Sequence, residues 1–325
     1  MLLIFLFNKT NKKNIITSEA SFYTEKIQKK AGNKLKQPLF TGACTALITP
    51  FKNGKIDYKS LDRIIEFQID SGIRALVISG TTGEAPTLSY YEHKNLIKHA
   101  VKRANGRAKI IAGTGSNDTA KAIKMSKYAE EYGADGLLIV TPYYNKANKE
   151  GIFFHYQKIN DNTNLPIIVY NVPTRTCVNI FPEVYAKLAD LTNVCGIKEA
   201  SSNLSDLAMT ASTCPLPIYS GNDDLLLPVL SLGGCGVISV MSNIFPHASI
   251  EICKLFECGK IDEARELYFK YLKFSKLLFS DINPIPIKAV MAYAGLCENE
   301  LRLPMTKAGE ACEKMLIEEF NNLTK

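Results

Sequence analysis

From residue 42 onwards, short apolar runs alternate with longer stretches whose apolar positions recur at helical spacing. The short runs predict eight strands: Ala43–Thr49, Ala75–Ser79, Lys109–Gly113, Gly136–Thr141, Pro166–Asn171, Val194–Glu199, Pro217–Ser220 and Gly236–Val240. They are nearly continuous in apolar character, as parallel strands covered on both faces are. The intervening stretches carry helix signals. Leu61, Ile64, Ile65 and Ile69 share one helical face, and Gly72 supplies the stop. Ser89-Tyr90-Tyr91-Glu92 is a capping-box pattern ahead of Leu96, Ile97, Ala100 and Val101. Asn117-Asp118 precedes Ala122, Met125, Ala129 and Tyr132, and Gly133 follows. Beyond about residue 260 the strand signals vanish, and residues 261–280, 286–296 and 306–323 read as helices.

Eight strand-helix units predict an α/β fold, a (β/α)8 barrel over residues 39–258, with a C-terminal helical appendage over 259–325. A doubly wound open sheet is the alternative. It lacks its usual sign, because the first strand leads to Thr49-Pro50-Phe51 and not to a GxGxxG turn.

Composition narrows the function. The 325 residues are 46% apolar and 22% charged, which excludes general disorder. Residues 1–40 hold eight lysines and two acids, a net of +6, so nearly all of the formal charge of +7 lies there. The body is close to neutral and has no charge signature of a nucleic-acid binder. Nine scattered cysteines, none in a CxxC pair, predict reduced thiols in a cytoplasmic protein. No apolar run approaches the roughly 20 residues that span a bilayer.

Residues 1–38 stand outside the pattern and predict a disordered extension or an upstream start codon, so that a chain starting near Pro38 keeps its activity and melting temperature. A targeting arm is the other reading, although no arginine precedes Arg63 and a transit peptide is Arg- and Ser-rich.

In such a barrel the chemistry gathers where the strands end. Gly80-Thr81-Thr82-Gly83-Glu84, Gly113-Thr114-Gly115-Ser116-Asn117, Thr141-Pro142-Tyr143-Tyr144-Asn145, Tyr170-Asn171-Val172-Pro173-Thr174-Arg175-Thr176 and Ser220-Gly221-Asn222-Asp223 all fall there. Lys198 stands in the otherwise apolar strand Val194–Glu199, and strand alternation turns Glu199 to the opposite side. A lysine desolvated inside a barrel loses proton affinity and becomes an amine able to attack a ketone. An ion-paired lysine within the barrel is the other reading, and the residues leave both open. Tyr170 is a core tyrosine or a proton shuttle. Arg175 is a carboxylate fork or a surface arginine. Four histidines without ligand spacing predict no metal, and no Walker or dinucleotide loop predicts a cofactor.

GTTGE (80–84), AGTGSN (112–117), TPYYN (141–145), YNVPTRT (170–176), GIKEA (196–200), SGND (220–223) and GGCGVISV (233–240) together resemble the 4-hydroxy-tetrahydrodipicolinate synthase family, also called dihydrodipicolinate synthase. NPIPIK (283–288) and LRLP (301–304) extend the likeness into the C-terminal helices. The wider superfamily of pyruvate-dependent class I aldolases includes N-acetylneuraminate lyase; the arginine of YNVPTRT, with TPYYN, favours the synthase.

The resemblance implies that Lys198 forms a Schiff base with pyruvate and that Tyr170 donates and accepts protons. It implies that Thr81 and Tyr144 complete a hydroxyl relay, Tyr144 serving a neighbouring subunit. Thr82 and the backbone of Ile238 would hold the pyruvate carboxylate, and Arg175 the carboxylate of L-aspartate 4-semialdehyde. It also implies a homotetramer and an activity in lysine and diaminopimelate biosynthesis. Many members are inhibited by lysine. The motifs place that pocket around Ala85, Pro86, Tyr90, His93, Asn117, Lys121 and Tyr143. Sensitive members generally have an acid where this chain has Lys121, and often a histidine where it has Tyr90, so the expectation here is weak inhibition or none.

Overall fold

The computed structural model describes residues 36–325. Strands β1 (Gly42–Ala46), β4 (Ala75–Ile78), β5 (Lys109–Gly113), β6 (Gly136–Val140), β7 (Ile167–Asn171), β8 (Val194–Glu199), β9 (Ile218–Ser220) and β10 (Gly236–Ser239) pair in parallel. They close into a barrel because β1 pairs with both β10 and β4. The predicted (β/α)8 architecture is therefore the observed one.

Alternation along each strand splits the core in two. Cys44, Val77, Ile111, Leu138, Ile168, Tyr219 and Ile238 fill the inside of the barrel. Their neighbours Leu76, Ile110, Leu137, Ile167, Ile197 and Val237 face the surrounding helices. Both faces are apolar, which is why these strands read as continuous runs.

The helix Tyr58–Asp70 buries Leu61, Ile64, Ile65 and Ile69 and is capped by Asp57, whose carboxylate accepts from the amides of Lys59 and Ser60. The capping box at Ser89 and Glu92 opens the helix Tyr90–Ala104 as its sequence predicts. Asp118 caps the helix Thr119–Glu131. The C-terminal helices run over Ile261–Leu277, Ile285–Tyr293 and Glu310–Thr324. Phe245 seats them on the barrel, its ring lying 5.1 Å from Phe274, 5.2 Å from Tyr271 and 5.6 Å from Phe320. No described helix is long and apolar enough to cross a membrane.

A hairpin and a one-turn helix are among the short elements absent from the sequence prediction. Phe51–Lys52 (β2) and Lys55–Ile56 (β3) form a small antiparallel hairpin. Its turn is Asn53-Gly54, with φ of 52° and 76°, the left-handed pair that a two-residue hairpin needs. The other is a one-turn helix, Pro173–Thr176, which follows β7 and holds Arg175.

The lower end of the barrel is closed by the entering chain. Phe40 stacks on Tyr219 at 4.3 Å, and the Tyr219 hydroxyl donates to the Phe40 carbonyl at 2.8 Å. Ahead of it, Lys36 donates through Nζ to the carbonyls of Leu191 and Val194 (2.8 Å to the latter), next to the start of β8. Most of the predicted 1–38 extension lies outside the described residues.

Candidate active site

The register of β7 and β8 decides where the chemistry sits. Tyr170 pairs with Lys198 and Asn171 with Glu199. Tyr170 and Lys198 therefore share the inner face, while Asn171 and Glu199 share the outer one. Lys198 is 5% exposed, and its Nζ lies 4.4 Å from the centre of the Tyr170 ring. Glu199 does not neutralise it. Its carboxylate accepts from Asn171 Nδ2 at 3.0 Å, the Tyr185 hydroxyl at 2.9 Å and the Ser201 amide at 2.7 Å. Burial holds the Glu199 carboxyl above its usual range, opposed by those same bonds.

A cavity of about 240 Å³ has Tyr170 in its lining, whereas Lys198 packs on Tyr170 and is not itself among the lining residues. Thr81, Tyr170 and Arg175 line it together with Ser79, Tyr143 and Lys121. Thr82, beside Thr81, is buried and accepts a hydrogen bond from Asn283 Nδ2 at 2.9 Å. Arg175 in turn donates to the Asn283 carbonyl at 3.0 Å. Ile238 is fully buried in β10, paired with Cys44 of β1. Of the seven residues singled out in the sequence, Thr81, Tyr170 and Arg175 line the cavity; Thr82 and Lys198 adjoin Thr81 and Tyr170 without lining it, and Ile238 is buried in β10 outside the lining.

The seventh, Tyr144, is not brought into the cavity of its own protomer. It is 90% exposed with φ of 71°. Its neighbours hold it there: Tyr143 turns into the cavity, and Asn145 donates to the Asn117 carbonyl at 2.9 Å. A large aromatic so displayed costs apolar hydration unless something covers it.

Tight loop geometry shapes the rim. A Cβ at Gly113 would lie 2.4 Å from the Ser79 carbonyl oxygen, so only glycine lets these two strand ends approach. Ser79 and Glu84 both take left-handed backbone, with φ of 57° and 54°. His93 donates to the Gly113 carbonyl across 2.8 Å, and burial lowers its pKa to about 4, so the ring is neutral at pH 7.

The sequence reading missed three supports. Asp223 is buried, and its Oδ2 accepts from the amides of Val240 and Met241 at 2.8 and 2.9 Å, just beyond Ile238. Asn283 joins Thr82 to Arg175. Glu84 and Lys288 form a fully buried ion pair. All three sit inside motifs that the sequence displays (SGND, NPIPIK and GTTGE). The missing signal was pairing between segments far apart in the chain, 201 residues in the case of Asn283 and Thr82, which no local pattern carries.

Of the residues expected around a lysine pocket, Ala85, Pro86, His93, Lys121 and Tyr143 line the same cavity, whereas Tyr90 and Asn117 are not among its lining. That lining contains Arg175 and Lys121 and no Asp or Glu.

Known proteins share this arrangement. The model of the dihydrodipicolinate synthetase family matches residues 39–321. A 4-hydroxy-tetrahydrodipicolinate synthase from Clostridium novyi (strain NT) is 47% identical over 289 residues, 88% of this chain and 98% of that protein. One from Alkaliphilus oremlandii (strain OhILAs) is 46% identical over 284 residues, 87% of this chain and 98% of that one. The crystal structure of dihydrodipicolinate synthase from Thermotoga maritima superposes with a TM-score of 0.87 at 42% identity, covering 88% of this chain and 99% of that one. Matched along the whole barrel and through the C-terminal helices, the chain belongs to the dihydrodipicolinate synthetase family.

Proposed function

We propose that this chain is a 4-hydroxy-tetrahydrodipicolinate synthase that condenses pyruvate with L-aspartate 4-semialdehyde, a lyase of lysine and diaminopimelate biosynthesis working through a lysine Schiff base. The observation that carries the reading is the buried Lys198 amine against the ring of Tyr170, a residue of the cavity lining.

Lys198 Nζ attacks the pyruvate ketone carbon and water leaves, giving an iminium whose positive nitrogen withdraws electrons from the methyl group. Loss of a methyl proton yields the enamine, and its carbon attacks the aldehyde carbon of the second substrate. The amine of that substrate then displaces Lys198 and closes the ring. Tyr170 moves the protons, relayed through Thr81 and through Tyr144 of a neighbouring protomer. Thr82 and the Ile238 backbone hold the pyruvate carboxylate. Arg175 receives the second carboxylate; its place at the cavity wall suits an anion arriving from solvent.

The assembly is a homotetramer, a reading that the displayed Tyr144 supports. The nine unpaired thiols suit a cytoplasmic setting. No resident cofactor or metal enters this scheme, since the lysine supplies the electron sink.

Borohydride reduction in the presence of pyruvate tests the covalent step. Wild-type protein gains the mass of reduced pyruvate at Lys198, and Lys198→Ala gains none while keeping its circular dichroism spectrum. Trapping at another lysine in that variant overturns the assignment. Turnover with L-aspartate 4-semialdehyde, and none with N-acetylneuraminate, separates the synthase from a sugar-acid lyase.

A further inference from the structure

The C-terminal helices reach the catalytic loop through charges that are wholly out of water. Glu84 ends the Thr81-Thr82-Gly83-Glu84 turn in left-handed backbone. One of its oxygens takes Lys288 Nζ, from the helix Ile285–Tyr293, and the other takes the Arg302 amide at 3.1 Å. Lys288 also donates to the Glu300 carbonyl at 2.8 Å. Both side chains of the ion pair have no exposure at all. Both cations lie against the Phe51 ring, whose centre is 4.2 Å from Lys288 Nζ and 4.4 Å from the Arg302 guanidinium carbon.

A pair buried this deeply is a poor way to gain stability, since desolvation of two charges offsets most of their attraction and an apolar pair of similar volume often serves as well. Its place is more informative. Glu84 is two residues from Thr82 and three from Thr81. The adjoining backbone is fixed again by Thr49, which donates to the Gly83 carbonyl at 2.6 Å, while Asn283 donates to the Thr82 hydroxyl itself. A one-residue slip of this turn would carry Thr81 out of the cavity lining and Thr82 away from Asn283.

We infer that Lys288 and Glu84 are positioning residues for the reaction: their ion pair ties the C-terminal helices to the Thr81-Thr82 turn and holds both hydroxyls where pyruvate binds. Neither touches substrate; Lys288 acts through Glu84, and Glu84 through its own backbone. This rests on the proposed synthase reading. The C-terminal appendage is then part of the active site's framework and not only a cover for the barrel.

The test separates stability from geometry. Lys288→Met leaves a buried carboxylate without its partner, so it lowers the melting temperature, raises the pyruvate KM at least tenfold and lowers kcat. Adding Glu84→Gln removes that orphaned charge. The double variant regains most of the lost melting temperature, yet its pyruvate KM stays at least tenfold above wild type, because a thioether in place of the ammonium cannot bond to the turn. Glu319→Gln is the control. It breaks a pair with Lys273 between the C-terminal helices and lowers the melting temperature without moving KM. If KM and melting temperature recover together in the double variant, or if Glu319→Gln moves KM as much as Lys288→Met, the pair is merely structural and the inference falls. Should wild-type protein fail to trap pyruvate, it is the synthase reading that fails instead.

Discussion

At the scale of single residues, charge sets what the cavity can favour. Its described lining presents Arg175 and Lys121 and no carboxylate, and His93 is held neutral by burial. A ligand that brings two ammonium groups, as L-lysine does, meets like charge at Lys121. Two unit charges about 4 Å apart repel by about 1 kcal/mol in water and about 4 kcal/mol near a protein surface, where about 1.4 kcal/mol is tenfold in affinity. Activity titrated against L-lysine is therefore expected to stay flat through the submillimolar range, and Lys121→Glu to become several-fold more sensitive. Strong submillimolar inhibition of the wild type would refute this. Lys198 shows how legible such residues were. A lone lysine in an apolar strand stood out at once, and alternation alone turned Glu199 away from it, as the bonds of Glu199 to Asn171, Tyr185 and Ser201 confirm. Asn283 was hidden for the opposite reason. An asparagine before a proline reads as a turn, and nothing near it announces a bond to Thr82, 201 residues away.

The elements themselves follow from local chemistry where a cap or a period is present, and fail to where the chain is too short to show one. The eight barrel strands and the helices were readable because both faces of each strand are buried, Ser89 and Asp118 cap visibly, and Leu61, Ile64, Ile65 and Ile69 share a face; the Asp57 cap was not read. The β2–β3 hairpin has only two residues per strand, too few for a period of two to appear, although Asn53-Gly54 marked its turn. Buried side chains also give the elements a pH dependence whose sign can be worked out. His93 and His155 are both lowered to about 4 by burial. Their folded values lie below the ordinary 6.5, so the stability they contribute is full above about pH 6.5 and drains away as pH falls towards 4. Glu92 is lowered to about 2, first by its bond to Arg302 and then by the capping box at Ser89. Its contribution is complete above about pH 4.5 and is lost as pH falls to 2. Urea midpoints measured from pH 8 to 3 should decline in these two stages. His93→Gln with His155→Gln should flatten the upper stage, and Glu92→Gln the lower. The entering chain adds one more element-scale test. Lys36 covers carbonyls beside the start of β8, and burial lowers its pKa. These contacts revise the sequence expectation that a start near Pro38 keeps the melting temperature: a chain begun at Lys36 should keep it in full, whereas one begun at Pro38 should keep its activity but melt a few degrees lower, as loss of about 1 kcal/mol does in a domain of this size. Equal melting of the two would show that the lysine contributes nothing.

For the whole molecule the question is where Tyr144 works. It stands exposed on left-handed backbone, with Tyr143 anchored in the cavity and Asn145 anchored to Asn117 on either side. Flexible loops do not pin both neighbours of a free residue; a projecting side chain so held is presented to something. If that something is the cavity of a second copy, related by two-fold symmetry, each site takes Tyr170 from one protomer and Tyr144 from the other. Tyr170→Phe and Tyr144→Phe homo-oligomers should then each turn over orders of magnitude more slowly than wild type. Mixed dimers behave differently. One of their two sites contains both substitutions and the other contains neither, so half the sites of a mixed dimer are wild type. Subunits dissociated, combined in equal amounts and reassociated at random give mixed dimers in half of all pairs, and activity should return to about a quarter of wild type. Recovery of that size requires that the two tyrosines meet from different chains, since a relay built within one protomer leaves every site with one phenylalanine however the subunits are shuffled. No recovery, in hybrids verified by mass, would remove Tyr144 from its neighbour's site.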